Sequence, residues 1–318
     1  MQLMADGRFH SGSSLGRDLG VSRNAVWKHI RFLQHHQVDI HAVRGRGYRL
    51  ASVLELLATN TIMAHVDKAA LPLLGRMDIL PEVDSTNRYL MARIGHGAAT
   101  GDICLAEYQS AGRGRQGRPW VSPFAANIYM SLLWHFPVGI EGLAGLGLAV
   151  GASVLDACHR LGAEAVRLKW PNDLVCRGSK LAGILLELRS AADGGCFVVI
   201  GIGMNVRMPD QNIAQIDQSW TDLEQLLSRR LSRNEVAATI LTQVLLGLER
   251  FQREGVALFL ERWRRNDDLL DRPVKLQTTA AVIDGIARGI DDYGALCVEH
   301  DGRINKYLVG DVSVRVPQ

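Results

Sequence analysis

The chain has 318 residues, of which 47% are hydrophobic and 22% charged, and its net charge at pH 7 is only +3. This length exceeds what one hydrophobic core usually serves, so we expect two or three domains. The composition is ordinary for a soluble globular protein and excludes wholesale disorder. Residues 1–50 contain eight Arg and Lys against three Asp, a net charge of +5, whereas the remainder carries −2. A basic N-terminal module on a near-neutral body indicates contact with a polyanion.

The five cysteines are scattered and form no C-x-x-C pair. This pattern argues against a disulfide framework and a zinc site, and it favours a reducing cytoplasm. The chain opens with no charged-then-apolar leader. Its most apolar window, Leu143 to Leu155, is too short for a bilayer, which needs about 20 apolar residues. We therefore expect a cytoplasmic protein with no membrane contact and no metal site of its own.

The first 50 residues contain the parts of a helix-turn-helix. Leu15 and Leu19 are four residues apart and predict a short helix, with Ser13 or Ser14 placed to cap its start. Gly20 then supplies the turn. Helix, glycine-containing turn and second helix are typical of this DNA-binding motif.

The second predicted helix combines an apolar stripe with polar faces. Val26, Ile30 and Leu33 form the stripe. Ser22 is expected to cap this helix. The residues at the start and on the polar faces of this helix that we predict to contact DNA are Ser22, Arg23, Asn24, Trp27, Lys28 and Arg31.

A basic hairpin follows the second helix. Val38–Val43 and Tyr48–Leu50 predict two strands, and the turn between them carries Arg44 and Arg46, which would reach a phosphate backbone. A basic packing domain without a DNA role is the plain alternative. Because only ten residues precede the motif, a supporting first helix would be clipped: either the module is minimal or the start is misassigned. Residues 51–80 predict a connector with one amphipathic helix, from Val53 to about Ala58.

The small polar segment Asp84–Asn87 precedes an apolar helical pattern. It has the form of a helix N-cap, and that interpretation is locally sufficient. The side chains of Ser85, Thr86 and Asn87 could also direct hydrogen bonds into a pocket.

Gly112–Trp120 has the sequence Gly-Arg-Gly-Arg-Gln-Gly-Arg-Pro-Trp. Its glycines let the backbone curl into an anion-binding nest. The guanidinium groups of Arg113 and Arg115 add bidentate donors for phosphate or carboxylate oxygens. A solvated basic turn is the plain alternative. Predicted strands at Ile103–Gln109 and Asn127–Trp134 flank this loop and place it at a sheet edge, where ligand loops are common.

The next segments predict a helix and three strands. Leu143–Leu161 predicts a helix over one sheet face, and Val166–Trp170 a strand that ends at Pro171–Asp173, with an amide and a carboxylate at its end. Lys180–Glu187 and Phe197–Asn205 predict buried strands.

Glycines within these two buried strands, Gly183, Gly201 and Gly203, indicate close approach of another group or of a ligand. Taken one by one, each of these features is better explained by structure than by function.

The last 48 residues predict a compact antiparallel β-barrel, too small for chemistry alone. Acidic or glycine-containing turns separate its strands. The predicted strands are Val274–Gln277, Ala281–Ile286, Ala295–Glu299 and Val312–Val316.

In combination, the Arg/Gly loop, the Trp-Pro-Asn-Asp turn and the Lys-Leu-Ala-Gly-Ile-Leu strand resemble, in this order and spacing, the biotin–protein ligases. With the N-terminal module, the chain is similar over essentially its whole length to the bifunctional bacterial kind, ligase and biotin-operon repressor in one. No P-loop or dinucleotide-binding G-x-G-x-x-G unit competes for the nucleotide.

The resemblance implies an α+β fold of three domains. A winged helix-turn-helix DNA-binding domain would occupy residues 1–55. A central mixed β-sheet with helices, of the class II synthetase-like kind, would bind biotin and ATP in residues 56–270. An SH3-like β-barrel would occupy residues 271–318 and help to hold nucleotide and carrier protein.

The resemblance also implies a two-step reaction. The carboxylate of biotin attacks the α-phosphate of ATP, complexed with Mg²⁺, to give biotinyl-5′-adenylate and pyrophosphate. A lysine of a biotin carboxyl carrier protein then displaces AMP. Such chemistry requires positioning and charge stabilisation rather than a protein nucleophile. Adenylate binding would favour a homodimer, built from sheet edges, whose two modules meet two half-sites of biotin operator DNA.

Site roles follow from the same resemblance. Arg115 would hold the phosphate, Lys180 would neutralise the two meeting anions, and Asp173 would orient or deprotonate the incoming lysine; these three form the predicted catalytic set. The residues predicted to bind biotin are Ser85, Thr86, Asn87, Gln109, Arg113, Gly114, Arg115, Trp120 and Lys180. The residues predicted to bind nucleotide are Lys169, Asn172 and Asn205.

Two alternatives remain open from the sequence. One is a ligand-sensing DNA-binding repressor without ligase activity, against which the presence of Arg113, Arg115 and Lys180 speaks. The other is a ligase for lipoate on the same scaffold. A polar pocket lined by Ser85, Thr86 and Gln109 favours a ureido head group over a dithiolane.

Overall fold

The computed structural model describes residues 2–4, 6–36, 38–51, 54–209, 216–278, 281–308 and 312–315. The α-helices within these residues are α1 (Gly12–Leu19), α2 (Arg23–His35), α3 (Thr59–His65), α4 (Thr86–Arg93), α5 (Leu146–Arg160), α6 (Leu223–Leu227), α7 (Arg233–Glu254) and α8 (Ala257–Arg265). The β-strands are β1 (Ile40–Val43), β2 (Gly47–Leu50), β3 (Met77–Leu80), β4 (Ile103–Ala106), β5 (Ile128–Phe136), β6 (Arg167–Lys169), β7 (Asp173–Cys176), β8 (Ser179–Ser190), β9 (Cys196–Met204), β10 (Pro273–Thr278), β11 (Val282–Ile290), β12 (Leu296–His300), β13 (Arg303–Tyr307) and β14 (Val312–Arg315).

Helices α1 and α2 and the hairpin β1–β2 form the predicted winged helix-turn-helix. The hydroxyl of Ser22 accepts a hydrogen bond from the backbone N–H of Ala25 and caps α2, as predicted. The prediction for α1 is wrong by two or three positions: Ser11 caps it by accepting from the N–H of Ser14, which already lies in the first turn. Gly20 ends α1 in the left-handed conformation that the turn requires.

The apolar stripe of α2 is buried as predicted, and its last turn rests on the central domain. Val26, Ile30 and Leu33 share one core with residues of the hairpin. The His36 ring, just after α2, lies edge-on to Tyr108 with 4.4 Å between ring centroids. It also contacts Phe124, with 5.8 Å between ring centroids. The DNA-binding module is therefore packed against the body rather than joined to it by a free linker alone.

The predicted connector helix is wrong. Residues 54–58 carry no helix, Val53 lies outside the described residues, and the first helix of the connector is α3, which starts at Thr59. The backbone before α3 is bound by buried side chains instead: Leu57 donates its N–H to Glu107, and Arg233 donates to the carbonyl of Glu55. These partners, distant in sequence, compete with helix formation.

The central domain is built on a seven-stranded mixed sheet in the order β3-β4-β5-β9-β8-β7-β6. Strands β3 and β4 are parallel and every other pair is antiparallel, which confirms the predicted mixed sheet. Helices α5 and α7 cover one face over the main core, while α4 packs on the other face. The Arg/Gly loop joins β4 to β5, the second and third strands, so its predicted place at a sheet edge is wrong: β3 occupies that edge.

The apolar helix α5 is a core helix of this domain. The segment Ile140–Arg160 is long and apolar enough to cross a membrane, but 61% of its most apolar window is buried inside the protein. The prediction that this segment is too short to cross a bilayer is therefore wrong, because the helical segment is longer than the apolar window, whereas its burial agrees with the predicted buried helix.

The C-terminal strands form a five-stranded antiparallel sheet in the order β13-β12-β11-β10-β14. This confirms the predicted antiparallel β-rich domain, although β13 was missed because its residues are mostly exposed and do not alternate. Val316, the predicted end of the last strand, lies outside the described residues. The indole N–H of Trp170 donates to the carbonyl of Gly294 at 3.1 Å, which attaches this domain beside the Trp-Pro-Asn-Asp turn.

Candidate active site

The Arg/Gly loop folds as a small hairpin of its own. The N–H of Gly114 donates to the carbonyl of Arg118 at 2.8 Å, and the N–H of Trp120 donates to the carbonyl of Gly112 at the same distance. A short 3₁₀ turn, Arg115–Gly117, forms the tip. The expected nest of free N–H groups is therefore wrong in part, since several of these donors bind carbonyls of the loop itself.

A cluster of buried polar side chains, which we call the polar pocket, lies at the start of α4. Ser85 caps α4, as the sequence predicted, and both Ser85 and Thr86 are buried. The backbone N–H of Thr86 donates to the side-chain oxygen of Gln109 at 2.9 Å. The hydroxyl of Ser131, from β5, lies 2.7 Å from that of Thr86. These buried polar groups fix one another's orientation through their hydrogen bonds. Ser131 was not predicted as a site residue, because no local pattern distinguishes it from its apolar neighbours in the sequence.

Gln109 also ties the pocket to the end of the loop. Its amide nitrogen donates to the hydroxyl of Ser122 at 3.4 Å, and Ser122 in turn donates to the carbonyl of Trp120 at 3.0 Å. Both ends of the loop thus contact the polar pocket.

The ring of Trp120 packs on strands β8 and β9 at two glycines. A Cβ atom added to Gly203 would lie 2.5 Å from this ring, and one added to Gly183 would lie 3.1 Å from it. A Cβ at Gly201 would overlap the amide of Asn87. The expectation of close approach is confirmed, but the groups that approach are side chains of the protein.

Lys180 and Asp173 form an ion pair beside Trp120. The Lys180 ammonium lies 2.8 Å from a carboxylate oxygen of Asp173, and each side chain is 19% exposed. The ammonium is also 5.5 Å from the centroid of the Trp120 ring, within range of a cation–π contact. The predicted lysine, acid and aromatic residue are therefore neighbours in space.

Arg115 reaches from the loop tip toward the same corner. Its guanidinium donates to the side-chain oxygen of Asn172 at 3.4 Å, and the Asn172 amide donates to the carbonyl of Ile184 at 2.6 Å. Burial lowers the pKa of the Arg115 guanidinium, and the carboxylate of Asp173 opposes that shift. A partly desolvated cation interacts more strongly with an anion than a solvated one.

Lys169 lies near the same carboxylate. Burial lowers the pKa of its ammonium; Asp173 opposes the shift and Lys180 adds to it. Asn205 has a contact that is structural in this arrangement. It is buried, and its amide donates to the carbonyl of Thr221 at 3.0 Å, which positions the segment after β9.

Glu187 is a member of the site that the sequence did not single out. One carboxylate oxygen lies 2.7 Å from the guanidinium of Arg113, and the other accepts from the amide of Asn87 at 2.7 Å. It was included only as the end of a buried strand. Its position on the site face of β8, two residues after Leu185, was the available signal.

The predicted DNA-contacting side chains lie on the surface of the N-terminal module. Trp27 is 53% exposed, and the guanidinium of Arg31 lies 5.7 Å from the centroid of its ring. In the hairpin, the guanidinium of Arg46 lies 4.5 Å from the ring centroid of Phe9. The exposed members of the predicted set are Ser22, Arg23, Asn24, Trp27, Lys28, Arg31, Arg44 and Arg46.

Three family models match the chain in sequence order. Residues 1–49 match a helix-turn-helix domain, residues 79–205 the biotin/lipoate A/B protein ligase family, and residues 269–315 the biotin protein ligase C-terminal domain.

Curated relatives match nearly the whole chain. It is 43% identical to the bifunctional ligase/repressor BirA of Escherichia coli over 98% of this chain and 95% of that protein. It is 35% identical to the biotin–[acetyl-CoA-carboxylase] ligase of Mycobacterium tuberculosis over 74% of this chain and 88% of that protein.

Among solved structures, the biotin protein ligase of Aquifex aeolicus in complex with biotin and ATP aligns with a TM-score of 0.67 and 28% identity, over 77% of this chain and all of that one. Together with the helix-turn-helix and the mixed sheet described above, these similarities show that the chain belongs to the biotin protein ligases, in their bifunctional ligase/repressor branch.

Proposed function

We propose that this protein activates biotin as biotinyl-5′-adenylate and transfers it to a lysine of a biotin carboxyl carrier protein. The observation that carries the proposal is the meeting of Arg115, Lys180 and Asp173 beside a buried polar pocket. The division into domains 1–55, 56–270 and 271–318 is part of this proposal, as is a cytoplasmic location.

In the first step a carboxylate oxygen of biotin attacks the α-phosphorus of ATP, and pyrophosphate leaves. Two anions must meet, so cations fixed in a partly desolvated site lower the barrier. Lys180 would neutralise the two groups, and Arg115 would bind the phosphate from the loop. ATP enters as its Mg²⁺ complex; Asp173 and the side-chain oxygen of Asn172 are of the kind that suits an ion delivered with phosphates.

The polar pocket would bind the ureido ring of biotin. That ring has two N–H donors and one carbonyl acceptor, and the pocket offers hydroxyls and an amide at Ser85, Thr86 and Gln109. Asn87 and Gly114 would complete its walls, while Trp120 would cover the apolar side of the ligand. Lys169, Asn172 and Asn205 would face the nucleotide.

In the second step the uncharged ε-amine of the carrier lysine attacks the acyl carbon, and AMP leaves. The amine must lose a proton, and Asp173 is the carboxylate available at this corner. Its ion pair with Lys180 would open when Lys180 turns to the substrate anions, which would leave the carboxylate able to contact the incoming amine.

The test is biotin-dependent exchange of labelled pyrophosphate into ATP, with lipoate as the control acid. We expect exchange with biotin alone, its loss in Lys180→Gln, and its retention in Ser190→Ala, an exposed site on the same strand. Exchange with lipoate alone would overturn the substrate. No exchange with either acid would leave the DNA-binding sensor as the better account.

We further propose that the adenylate-bound protein forms a homodimer and represses biotin synthesis genes by binding biotin operator DNA. The basic, exposed face of α2 and the hairpin β1–β2 support this role, since dimers of such modules bind two half-sites. The test is operator binding with biotin and ATP present or absent. Binding that ignores both ligands would contradict the proposal.

A further inference from the structure

Glu187 is shared between the ligand loop and the polar pocket. Its two carboxylate oxygens have different partners, the guanidinium of Arg113 in the loop and the amide of Asn87 on α4, each at 2.7 Å. A single side chain therefore connects two parts of the site that are far apart in sequence.

The bond to Glu187 fixes the orientation of the Asn87 amide. A carboxylate only accepts, so the nitrogen of Asn87 must face Glu187 and its oxygen must face the other way. There it accepts from the hydroxyl of Ser131 at 2.6 Å. Ser131 is also 2.7 Å from the hydroxyl of Thr86, which is bonded to Gln109. The polar contacts continue from the loop through Glu187 to the residues expected to bind the head group.

Asn87 has little freedom to move away from this position. Its side chain is buried and lies over Gly201, where any Cβ atom would overlap the amide. Glu187 and Arg113 are less constrained, with 25% and 34% of their side chains exposed. The ion pair between Glu187 and Arg113 is exposed enough to break and re-form, whereas Asn87 is held in place by packing.

We propose that Glu187 is a positioning residue that aligns the ligand loop with the head-group pocket. It holds Arg113 and Asn87 in one relative arrangement, so a ligand that engages the pocket finds the loop already aligned. This inference rests on the proposed ligase function and adds a residue to it. The partners of Glu187 are Arg113 and Asn87 rather than Arg115 or Lys180, so its effect would fall on biotin binding rather than on bond formation.

Glu187→Gln is the sharpest variant, because it retains the size of the side chain and removes its charge. Its amide can still accept from Asn87, but the Arg113 guanidinium then meets a neutral group. We expect the KM for biotin in pyrophosphate exchange to rise about tenfold, the KM for ATP to stay within about twofold, and kcat to stay within about twofold. Ser190→Ala, on the same strand and exposed, is the matched control.

A double-mutant cycle with Arg113→Gln tests the coupling itself. If the ion pair is the connection, the double variant should bind biotin no more weakly than the weaker single variant. Calorimetric titration with biotin gives these affinities without turnover. Equal rises in the KM for biotin and ATP, additive effects in the cycle, or unchanged biotin affinity in Glu187→Gln would each overturn the inference. Wild-type protein that binds biotin with this coupling but exchanges no pyrophosphate would instead overturn the ligase function.

Discussion

The ammonium of Lys180 and the carboxylate of Asp173 lie 2.8 Å apart across two antiparallel strands, β8 and β7. Each side chain is only 19% exposed, so each charge depends on the other for part of its solvation. A substrate anion that draws Lys180 away would leave the Asp173 carboxylate without its ion-pair partner. The pair thus links the cation proposed for the first step to the base proposed for the second.

Replacing Lys180 should affect the first step. We expect Lys180→Gln to lower kcat for pyrophosphate exchange by about 10²–10³, the range for loss of one preorganised donor to a developing charge. Exchange kinetics at saturating biotin and ATP measure this effect. Thermal unfolding shows whether the variant still folds, since the replacement leaves the Asp173 carboxylate without its ion-pair partner. Near-normal exchange by this variant would remove Lys180 from the mechanism.

Gly203 should tolerate no side chain because Trp120 covers it. In Gly203→Ala the new methyl group would lie 2.5 Å from the indole ring, so the ring must shift. We expect biotin affinity, measured by calorimetry, to fall about tenfold or more, since a displacement of a positioning group of this size is costly. Gly147→Ala is the matched control, since its Cβ would meet nothing closer than 3.7 Å and a helical alanine is favourable. Equal affinities in the two variants would show that the Trp120 contact is unimportant.

Asp267 should make stability depend on pH. Burial raises the pKa of its carboxyl from 3.8 to about 6. The folded state therefore holds a proton that the unfolded state has released, and the free energy of unfolding falls as pH rises from about 4 to about 6.

Asp267→Asn removes this titration while it keeps the oxygen that accepts from the N–H of Leu269. We expect it to stabilise the protein by roughly 3 kcal/mol at a pH of about 7.5, from about 1.4 kcal/mol per pKa unit over the rise from 3.8 to about 6, and by almost nothing near a pH of about 4. Urea unfolding at the two pH values checks this. Asp18→Asn, exposed on α1, should show no such difference; an equal gain at both pH values would contradict the assignment.

Lys28 should contribute to DNA affinity without sequence preference. It is exposed on α2, and if it binds one phosphate, Lys28→Ala should make the slope of log affinity against log salt shallower by about 1. Fluorescence anisotropy with a duplex selected by the wild-type protein from a randomised pool gives both quantities. Arg250→Ala, exposed on α7, is the control. An unchanged slope for Lys28→Ala would place this face away from the DNA.

Local sequence patterns predicted most elements of the fold, but they could not predict contacts between segments that are distant in the sequence. The stripe Val26, Ile30 and Leu33 and the cap at Ser22 depend on neighbours within one helix, so the sequence shows them directly. The connector was assigned a helix because nothing local reveals that Arg233 binds its backbone.

The site shows the same division. The motifs indicated Arg115, Lys180 and Asp173, which the fold brings together. Ser131 carries no local signal, because it is a serine within an apolar strand, and Glu187 is indicated only by its alternation with Gly183 and Leu185 along β8. Only the register of β5, β8 and β9 places them beneath the loop.

The ring of His36 connects the end of the recognition helix to the ligand loop. Tyr108 immediately precedes Gln109, and Phe124 follows the loop's exit, so the end of α2 packs against both margins of the loop at once. Closely packed side chains transmit small displacements rather than absorb them. A rearrangement of the loop that moves Tyr108 or Phe124 would change the packing at the end of α2. Because such coupling is reciprocal, DNA that binds α2 would in turn favour one conformation of the loop. The binding of operator DNA and the binding of biotin would then influence each other through the contacts of His36 with Tyr108 and Phe124.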